Sequence, residues 1–160
     1  TSGLILLAKN EQALKELESQ FAQGKVAKEY LCLVVGHLSR SEGKIDLPLP
    51  GRDGSLVKAV TRYRVLRRFA ATTLVRVSIE TGRLHQIRLH FARLGYPVVM
   101  DDQHGDFAFN KRFRREYGLK RQFLHAVKLS VSFAGRRRTW TASLPDDLQK
   151  TLAQLEAVRQ

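Results

Sequence analysis

Residues 80–97 constrain the fold of this chain more tightly than any other segment. Apolar residues recur there at steps of three and four positions, which predicts one face of a helix. These residues are Leu84, Ile87, Phe91 and Leu94. Gly95 ends the predicted helix, and Pro97 prevents its continuation. The segment is therefore a short amphipathic helix with a defined end.

The rest of the chain predicts strands with helices at intervals. Apolar runs predict strands at residues 4–8, 28–35, 59–68, 73–79, 123–133 and 138–143. Further helices are predicted after Asn10, within residues 110–122 and after Pro145. A long loop is predicted over residues 39–55, and a turn at Ala134-Gly135. We therefore predict an α+β fold, with a mixed, largely antiparallel sheet flanked by helices, as a single domain over residues 1–160.

Composition narrows the classes of function. The 160 residues include 28 Lys and Arg against 15 Asp and Glu, a formal net charge of +13. Such an excess favours a polyanionic partner, nucleic acid first, although a basic surface can also serve solubility alone. No apolar run approaches the roughly 20 residues of a membrane span. The single cysteine, Cys32, excludes an internal disulfide framework and a Cys-rich zinc site.

Several familiar catalytic patterns are missing. His85 and His90 are five residues apart, about 140° round a helix, so the histidine pair of a zinc peptidase is absent and no metal is expected. His125 lies between predicted strands, where a hydrogen-bonded core histidine is the usual finding. Asp101-Asp102 could pair as acid and base, but two aspartates after a strand more commonly form a turn and a cap.

Arginines in and around the predicted helix carry the remaining signal. Arg83 stands beside Gly82 at its start, where backbone N–H groups favour an anion. Arg88 lies one turn further on, between apolar neighbours. Arg88 either forms a partly buried ion pair or packs its aliphatic part on the core with its guanidinium in water. A buried pair requires a carboxylate, which this chain does not obviously supply.

Together, several segments resemble the RluA family of pseudouridine synthases over nearly the whole chain. The segments are TSGLILLAK at 1–9, KEYLCLVVG at 28–36, AVTRYRV at 59–65, ETGRLHQIRLHFARLGYPVVMDD at 80–102 and FLHA at 123–126. The TGR-x-HQIR string is the most specific of them. The stretch DDQHGDFAFN at residues 101–110 is most similar to the RluC branch, which modifies large-subunit ribosomal RNA.

The resemblance implies an enzyme that isomerises uridine to pseudouridine in large-subunit ribosomal RNA, without metal or organic cofactor. Its nucleophile is the aspartate of the motif H-R-L-D-x-x-T-S-G, whose end matches residues 1–3. We therefore expect that aspartate three residues before Thr1, and expect this fragment, truncated at its N-terminus, to be inactive alone. A small basic RNA-binding domain is expected further upstream. The alternatives are a non-catalytic RNA-binding module on this scaffold and a synthase acting on transfer RNA.

The resemblance also implies roles for individual residues. The last arginine of HQIR is Arg88, which the family pairs with the nucleophile. The tyrosine of K-x-Y is Tyr30, expected to stack on the flipped uracil and to assist proton removal at C5. Without the resemblance, we would interpret Tyr30 as a core aromatic residue and Arg88 as a surface arginine. RNA contacts are expected from Arg83, His85, Arg62, Arg64, Lys111, Arg112 and Arg115. We expect a cytoplasmic monomer with ribosomal RNA as its partner and no membrane association.

Overall fold

A computed structural model describes residues 1–51, 53–133 and 135–158. Its strands are β1 (Ser2–Gly3), β2 (Ala27–Val35), β3 (Glu42–Asp46), β4 (Leu49–Pro50), β5 (Leu56–Val57), β6 (Val60–Arg68), β7 (Thr72–Ile79), β8 (Leu124–Phe133) and β9 (Arg136–Thr141). Its helices are α1 (Glu11–Ala22), α2 (Gln86–Arg93), α3 (Phe107–Tyr117) and α4 (Asp146–Ala157). None of the described helices is both long and apolar enough to cross a membrane.

Within the described residues, seven strands form one sheet in the order β1-β8-β2-β7-β6-β3, with β9 paired to β8. The two-residue pairing of β1 with β8 is parallel, and the other pairings in this sheet are antiparallel. β4 and β5 form a separate small hairpin. The predicted α+β fold with a mixed, largely antiparallel sheet is confirmed.

Alternation along the central strands gives the sheet two apolar faces. On the first face, Cys32 and Val34 of β2 pack against Ile87 and Phe91 of α2. On the second face, neighbouring β2 and β7 side chains pack against α3 and α4. The buried members of that cluster include Leu33, Leu74, Phe113, Leu148 and Leu155. The two helical layers therefore cover opposite sides of the same strands.

Two predictions of local structure are wrong. Residues 4–8 form no strand, because pairing with β8 stops after Gly3 and the Leu4 N–H group. Ile5 and Leu7 are 78% and 80% exposed, so apolar composition alone did not make this run a buried strand. The predicted loop at 39–55 contains β3 and β4, since β3 pairs along β6 although its own sequence is polar.

Helix boundaries differ slightly from the predicted ones. α2 starts at Gln86, so Leu84 lies before the helix and is exposed. α3 starts before residue 110, because the Asp106 side chain caps it by accepting a hydrogen bond from the Phe109 N–H group at 2.9 Å. The helix predicted after Asn10 is confirmed, with Asn10 as its N-cap. The predicted turn at Ala134-Gly135 lies partly outside the described residues.

Candidate active site

A small cavity of about 150 Å³ opens on the first face of the sheet, beside the start of α2. Its lining residues are Thr1, Tyr30, Ile79, Arg83, His85, Gln86, Ile87, Arg88 and Leu124. The fold thus gathers four of the residues singled out from the sequence, together with the first residue of the chain. The other predicted RNA-contact residues are not part of this lining.

Tyr30 reaches the cavity from a distorted part of the sheet. The register between β2 and β8 shifts between Glu29 and Tyr30, which leaves Val127 as an extra residue on β8. Bulges of this kind re-aim side chains and are frequent beside active sites. Tyr30 packs partly against the first-face core, and burial raises the pKa of its phenol. Its ring is therefore both a core contact and a wall of the cavity.

The first three residues are fixed against β8. Gly3 has φ +100°, and a Cβ there would lie 2.2 Å from the carbonyl oxygen of Ala126, so only glycine fits. The Ser2 hydroxyl is hydrogen-bonded to His125 Nδ1 at 2.8 Å and accepts a bond from Arg121 Nη1 at 2.9 Å. His125 is buried, as predicted for a core histidine. These contacts fix the start of the described chain, so that Thr1 borders the cavity.

Arg88 forms a buried, bidentate ion pair with Asp101. Arg88 Nε donates to Asp101 Oδ2 at 2.7 Å and Nη2 donates to Oδ1 at 2.6 Å. The Asp101 side chain is fully buried and that of Arg88 is 9% exposed. The expectation that the chain supplies no carboxylate for Arg88 is therefore wrong. Asp101 supplies it from the segment after α2, which hydrogen bonds from Val99 to Leu33 and from Phe123 to Val99 hold against the sheet.

Asp101 is itself held by its neighbours. Its Oδ1 accepts hydrogen bonds from the N–H groups of Gln103 at 2.9 Å and His104 at 3.0 Å, which is the turn predicted for this aspartate pair. Asn110 of α3 donates to the Asp101 carbonyl at 2.8 Å and accepts from the Met100 N–H group at 2.8 Å. Gly105 leaves room for this contact, since a Cβ there would lie 2.2 Å from the Asp101 carbonyl oxygen.

The ion pair fixes the ionisation of Asp101. Burial alone would raise the pKa of this carboxyl, but the hydrogen bonds from Arg88 and from the two backbone N–H groups outweigh it and bring the pKa to about 2. Asp101 is therefore a full negative charge at neutral pH. Arg88 keeps its positive charge, with a pKa raised chiefly by the hydrogen bonds to Asp101.

One edge of the Arg88 guanidinium remains available. Nη2 has only long additional contacts, to Asp102 Oδ1 at 3.4 Å and Gln103 Oε1 at 3.3 Å. Nη1 donates to no acceptor among the described residues, and it is not among the buried polar atoms that lack a partner. The edge formed by Nη1 and Nη2 can thus bind a second carboxylate while Asp101 holds the other edge.

Gln86 organises the turn that leads into α2, a role that sequence reasoning missed. Its amide donates to the Val60 carbonyl at 2.9 Å and to Thr61 Oγ1 at 3.0 Å. Its Oε1 accepts from Thr81 Oγ1 at 2.7 Å and from the Arg83 N–H group at 3.1 Å. A glutamine is the side chain that can donate twice and accept twice here. The sequence offered one signal for Gln86, its place in the HQIR string of the family motif.

His85 and Arg83 stand at the edge of the cavity. His85 has φ 52°, and its Nδ1 is 3.2 Å from His104 Nε2. Burial, together with the positive charge of Arg88, lowers the pKa of the His85 imidazole. Arg83 Nε donates to the Lys58 carbonyl at 3.1 Å. The described residues contain no group of three or more metal-ligating side chains.

The remaining predicted RNA contacts lie elsewhere. Arg62 and Arg64 project from the second face and form exposed ion pairs with Glu80 and Glu42, at 2.6 Å and 3.8 Å. Lys111, Arg112 and Arg115 are exposed on α3. The structure therefore brings Arg83 and His85 to the cavity with Arg88 and Tyr30, but not these five residues. Their RNA contacts stay predictions.

Comparison with known proteins decides the family. The family model of the RNA pseudouridylate synthases matches residues 1–93, which is more than half of the chain. The chain belongs to this family. The resemblance to the RluA family and its RluC branch is confirmed by the curated relatives, several of which are named ribosomal large subunit pseudouridine synthase C.

Two relatives and one solved structure show how far the similarity extends. Ribosomal large subunit pseudouridine synthase C of Vibrio cholerae is 38% identical over 81% of this chain and 43% of its own length. An uncharacterized RNA pseudouridine synthase of Chloroflexus aurantiacus is 41% identical over 98% of this chain and 51% of its own length. The structure of human RNA Pseudouridylate Synthase Domain Containing 1 superposes with a TM-score of 0.73 and 25% identity, covering 86% of this chain and 62% of the human one. This pseudouridylate synthase chain spans about half the length of the curated relatives it matches.

The low pKa of Asp101 predicts how stability depends on pH. The folded-state pKa of about 2 lies below the ordinary value of 3.8. Asp101 therefore stabilises the fold above about pH 4, and this contribution of about 2 to 3 kcal/mol is lost as the pH falls towards 2. Urea unfolding at a series of acid pH values should show a steeper decline for the unmodified chain than for Asp101→Asn. Equal slopes would contradict the assignment.

Proposed function

We propose that this chain carries the catalytic domain of an enzyme that isomerises uridines to pseudouridine in large-subunit ribosomal RNA. Family membership and the names of the relatives support the reaction and the substrate. The observation that carries the proposal is the arrangement around Arg88: buried Asp101 holds one edge of its guanidinium, the other edge is not held in this way, and Arg88 lines a cavity together with Tyr30 and Thr1. A carboxylate entering beside Thr1 would meet this free edge.

The nucleophile in this proposal is an aspartate three residues before Thr1. Three extended residues span about 10 Å at most, which is enough to reach the cavity that Thr1 borders. Pairing with Arg88 keeps the incoming carboxylate ionised and oriented towards the target nucleoside. Asp101 prevents the guanidinium from turning away, so its role is to position Arg88.

The reaction needs no other reactant, because it rearranges one nucleoside. The bond between C1′ and N1 breaks, the uracil turns, and C1′ bonds to C5. The C5 proton is lost, and N1 gains a proton. Tyr30 would stack on the uracil and relay the C5 proton to solvent water, its phenol giving up its own proton as it accepts the one from C5; burial raises the pKa of this phenol, so it starts the step protonated. Flipping the base costs a few kcal/mol, which contacts from basic residues such as Arg83 and His85 would offset.

The proposal is tested with the chain extended by its encoded upstream residues. We expect the extended protein to release tritium from C5-tritiated uridine in a large-subunit ribosomal RNA transcript, and to lose this activity when the upstream aspartate is replaced by asparagine. An upstream residue other than aspartate, with RNA bound but no tritium released, would support the non-catalytic RNA-binding module instead. Tritium release from transfer RNA but not from ribosomal RNA would show that the substrate is transfer RNA.

Tyr30→Phe tests the role of the phenol. The phenylalanine keeps the ring for stacking and removes the hydroxyl that relays the proton, so we expect turnover to fall by about a hundredfold or more. RNA affinity should change by less than about threefold, since stacking is retained. Turnover under saturating RNA and the dissociation constant separate the two effects.

Tyr63→Phe is the matched control for this substitution. Tyr63 packs against the same first-face core but does not line the cavity. We expect it to leave turnover nearly unchanged. Equal losses in the two variants would assign Tyr30 a packing role only.

A further inference from the structure

A second and larger cavity lies on the second face of the sheet, between α3, the end of α4 and the turn joining β6 to β7. Its volume is about 660 Å³. Its lining includes Phe109, Arg112, Phe113 and Tyr117 of α3, together with Arg68 and Thr72. None of them lines the cavity that holds Tyr30 and Arg88.

One wall of this cavity is a series of aromatic rings. Phe109, Phe113 and Tyr117 recur every four residues along α3, so their rings lie on one side of the helix. The ring centroids are 5.6 Å apart between Phe109 and Phe113 and 4.5 Å apart between Phe113 and Tyr117. Phe113 is buried, whereas Phe109 and Tyr117 are only half-buried. The two outer rings can therefore offer surface to a planar group.

The rim of the cavity is mainly basic. Arg112 has no hydrogen-bond or ion-pair partner within the described part of the chain, and Arg68 uses one nitrogen, Nη2, to donate to the Leu38 carbonyl at 3.1 Å. Glu116 is an acidic residue of the lining, and His37 is hydrogen-bonded through Nε2 to the Phe69 carbonyl at 2.6 Å. The rim is thus suited to a ligand that carries negative charge.

One residue of the cavity wall has a buried polar atom without a partner among the described residues. Thr72 is 1% exposed, and its hydroxyl makes no hydrogen bond to any described residue. Buried polar groups are almost always hydrogen-bonded, so such an atom indicates a missing polar partner. Aromatic surface, the guanidinium of Arg112 and an unsatisfied hydroxyl together match a nucleotide, which has a flat base, a phosphate and polar edges.

We propose that this cavity binds an unpaired nucleotide of the RNA substrate, with the base against the α3 rings and the phosphate on Arg112. The choice of RNA rests on the proposed function and on the net charge of +13. The nucleotide is not the target uridine. Tyr30 pairs with Val77 and Val35 pairs with Thr72, so the two cavities lie about 17 Å apart along β2 and on opposite faces of the sheet.

Crosslinking locates the nucleotide without requiring turnover. A single-stranded, uridine-rich oligonucleotide carrying photoreactive thiouridine is irradiated with the protein, and crosslinked peptides are identified by mass spectrometry. We expect crosslinks within residues 107–117, and fewer of them when unlabelled RNA competes. Crosslinks confined to the first cavity would overturn the proposal. If the protein proves not to isomerise uridine, crosslinks within α3 still support this site, so the two failures are distinguishable.

Substitutions on α3 test the two kinds of contact. Arg112→Gln should weaken oligonucleotide binding about fivefold, whereas Arg114→Gln, which removes the same charge from the same helix outside the cavity, should weaken it less than about twofold. Phe109→Leu keeps an apolar side chain but loses the ring, and should weaken binding by about fivefold or more. Equal losses of affinity for Arg112→Gln and Arg114→Gln would mean that only the net positive charge matters. That result would contradict a specific site at Arg112.

Thr72→Val is a variant that should not lower the stability of the fold. It replaces a buried hydroxyl that has no partner by a methyl group, so thermal stability should stay the same or rise. Binding should weaken about threefold if the nucleotide satisfies that hydroxyl. Unchanged binding by both Thr72→Val and Phe109→Leu would mean that the cavity does not bind RNA, and would overturn the proposal.

Discussion

Replacing Arg88 with lysine in the extended, active protein is expected to lower turnover by about a hundredfold or more while leaving most of the RNA affinity. The lysine ammonium keeps the charge beside Asp101, but it lacks the second edge that the guanidinium offers to the nucleophile. The contribution of such a positioned donor is made during the reaction and not in binding. Turnover at saturating RNA, measured beside the dissociation constant, tests this expectation.

Lysine is preferable to alanine at this position. Arg88→Ala would also abolish turnover, but it would leave Asp101 buried without a counter-charge, at a cost of about 3 to 5 kcal/mol of unfolding free energy. Arg93→Ala is the control on the same helix, since Arg93 donates to the Pro48 carbonyl outside the cavity. We expect it to keep nearly full turnover. Parallel loss of turnover and RNA affinity in Arg88→Lys would contradict the assigned role.

Replacing Asp101 with asparagine is expected to have the second large effect. It leaves the Arg88 guanidinium buried with no full counter-charge, so the free energy of unfolding should fall by about 3 kcal/mol. In protein that is still folded at the assay temperature, the guanidinium is free to turn towards other acceptors. Turnover should therefore fall by about a hundredfold, with the KM for RNA unchanged within about threefold.

Asp102→Asn is the matched control. Asp102 carries the same charge one residue later, but its side chain is 86% exposed and its contact with Arg88 Nη2 is 3.4 Å long. We expect its turnover and unfolding to remain close to those of the unmodified protein. If Asp101→Asn proves as mild as Asp102→Asn, Asp101 does not position Arg88.

The sequence predicted the parts of the fold that repeat a local pattern. The strands at β2, β6, β7 and β8 follow from runs rich in apolar residues, and the helix at α2 follows from apolar residues three and four positions apart. Residues 4–8 are also rich in apolar residues, but only Ser2 and Gly3, which precede them, pair with β8. β3 was missed for the opposite reason: its residues are polar, and pairing with β6 alone makes it a strand. Pairing is a tertiary property, which a local pattern does not contain.

The candidate site was predicted residue by residue but not as an arrangement. Apolar neighbours of Arg88 correctly raised the question of a buried carboxylate partner. Asp101 was interpreted as a turn residue in preference to an acid and base pair with Asp102, although its side chain forms both the turn and the ion pair with Arg88. Asn110 and Gln86 act through hydrogen bonds to distant backbone, and such partners leave no spacing signal in the chain. The family motif therefore located Arg88 and Tyr30, whereas the residues that hold the site became visible only in three dimensions.

A crystal structure of the chain extended upstream tests the central claim most directly. The distance to measure joins Arg88 Nη1 or Nη2 to the carboxylate of the residue three positions before Thr1. We predict about 2.7 to 3.0 Å, with Asp101 still bound to the opposite edge of the guanidinium and the Tyr30 ring across the cavity. An upstream carboxylate that pairs with another residue, with the free edge of Arg88 left facing solvent, would contradict the account.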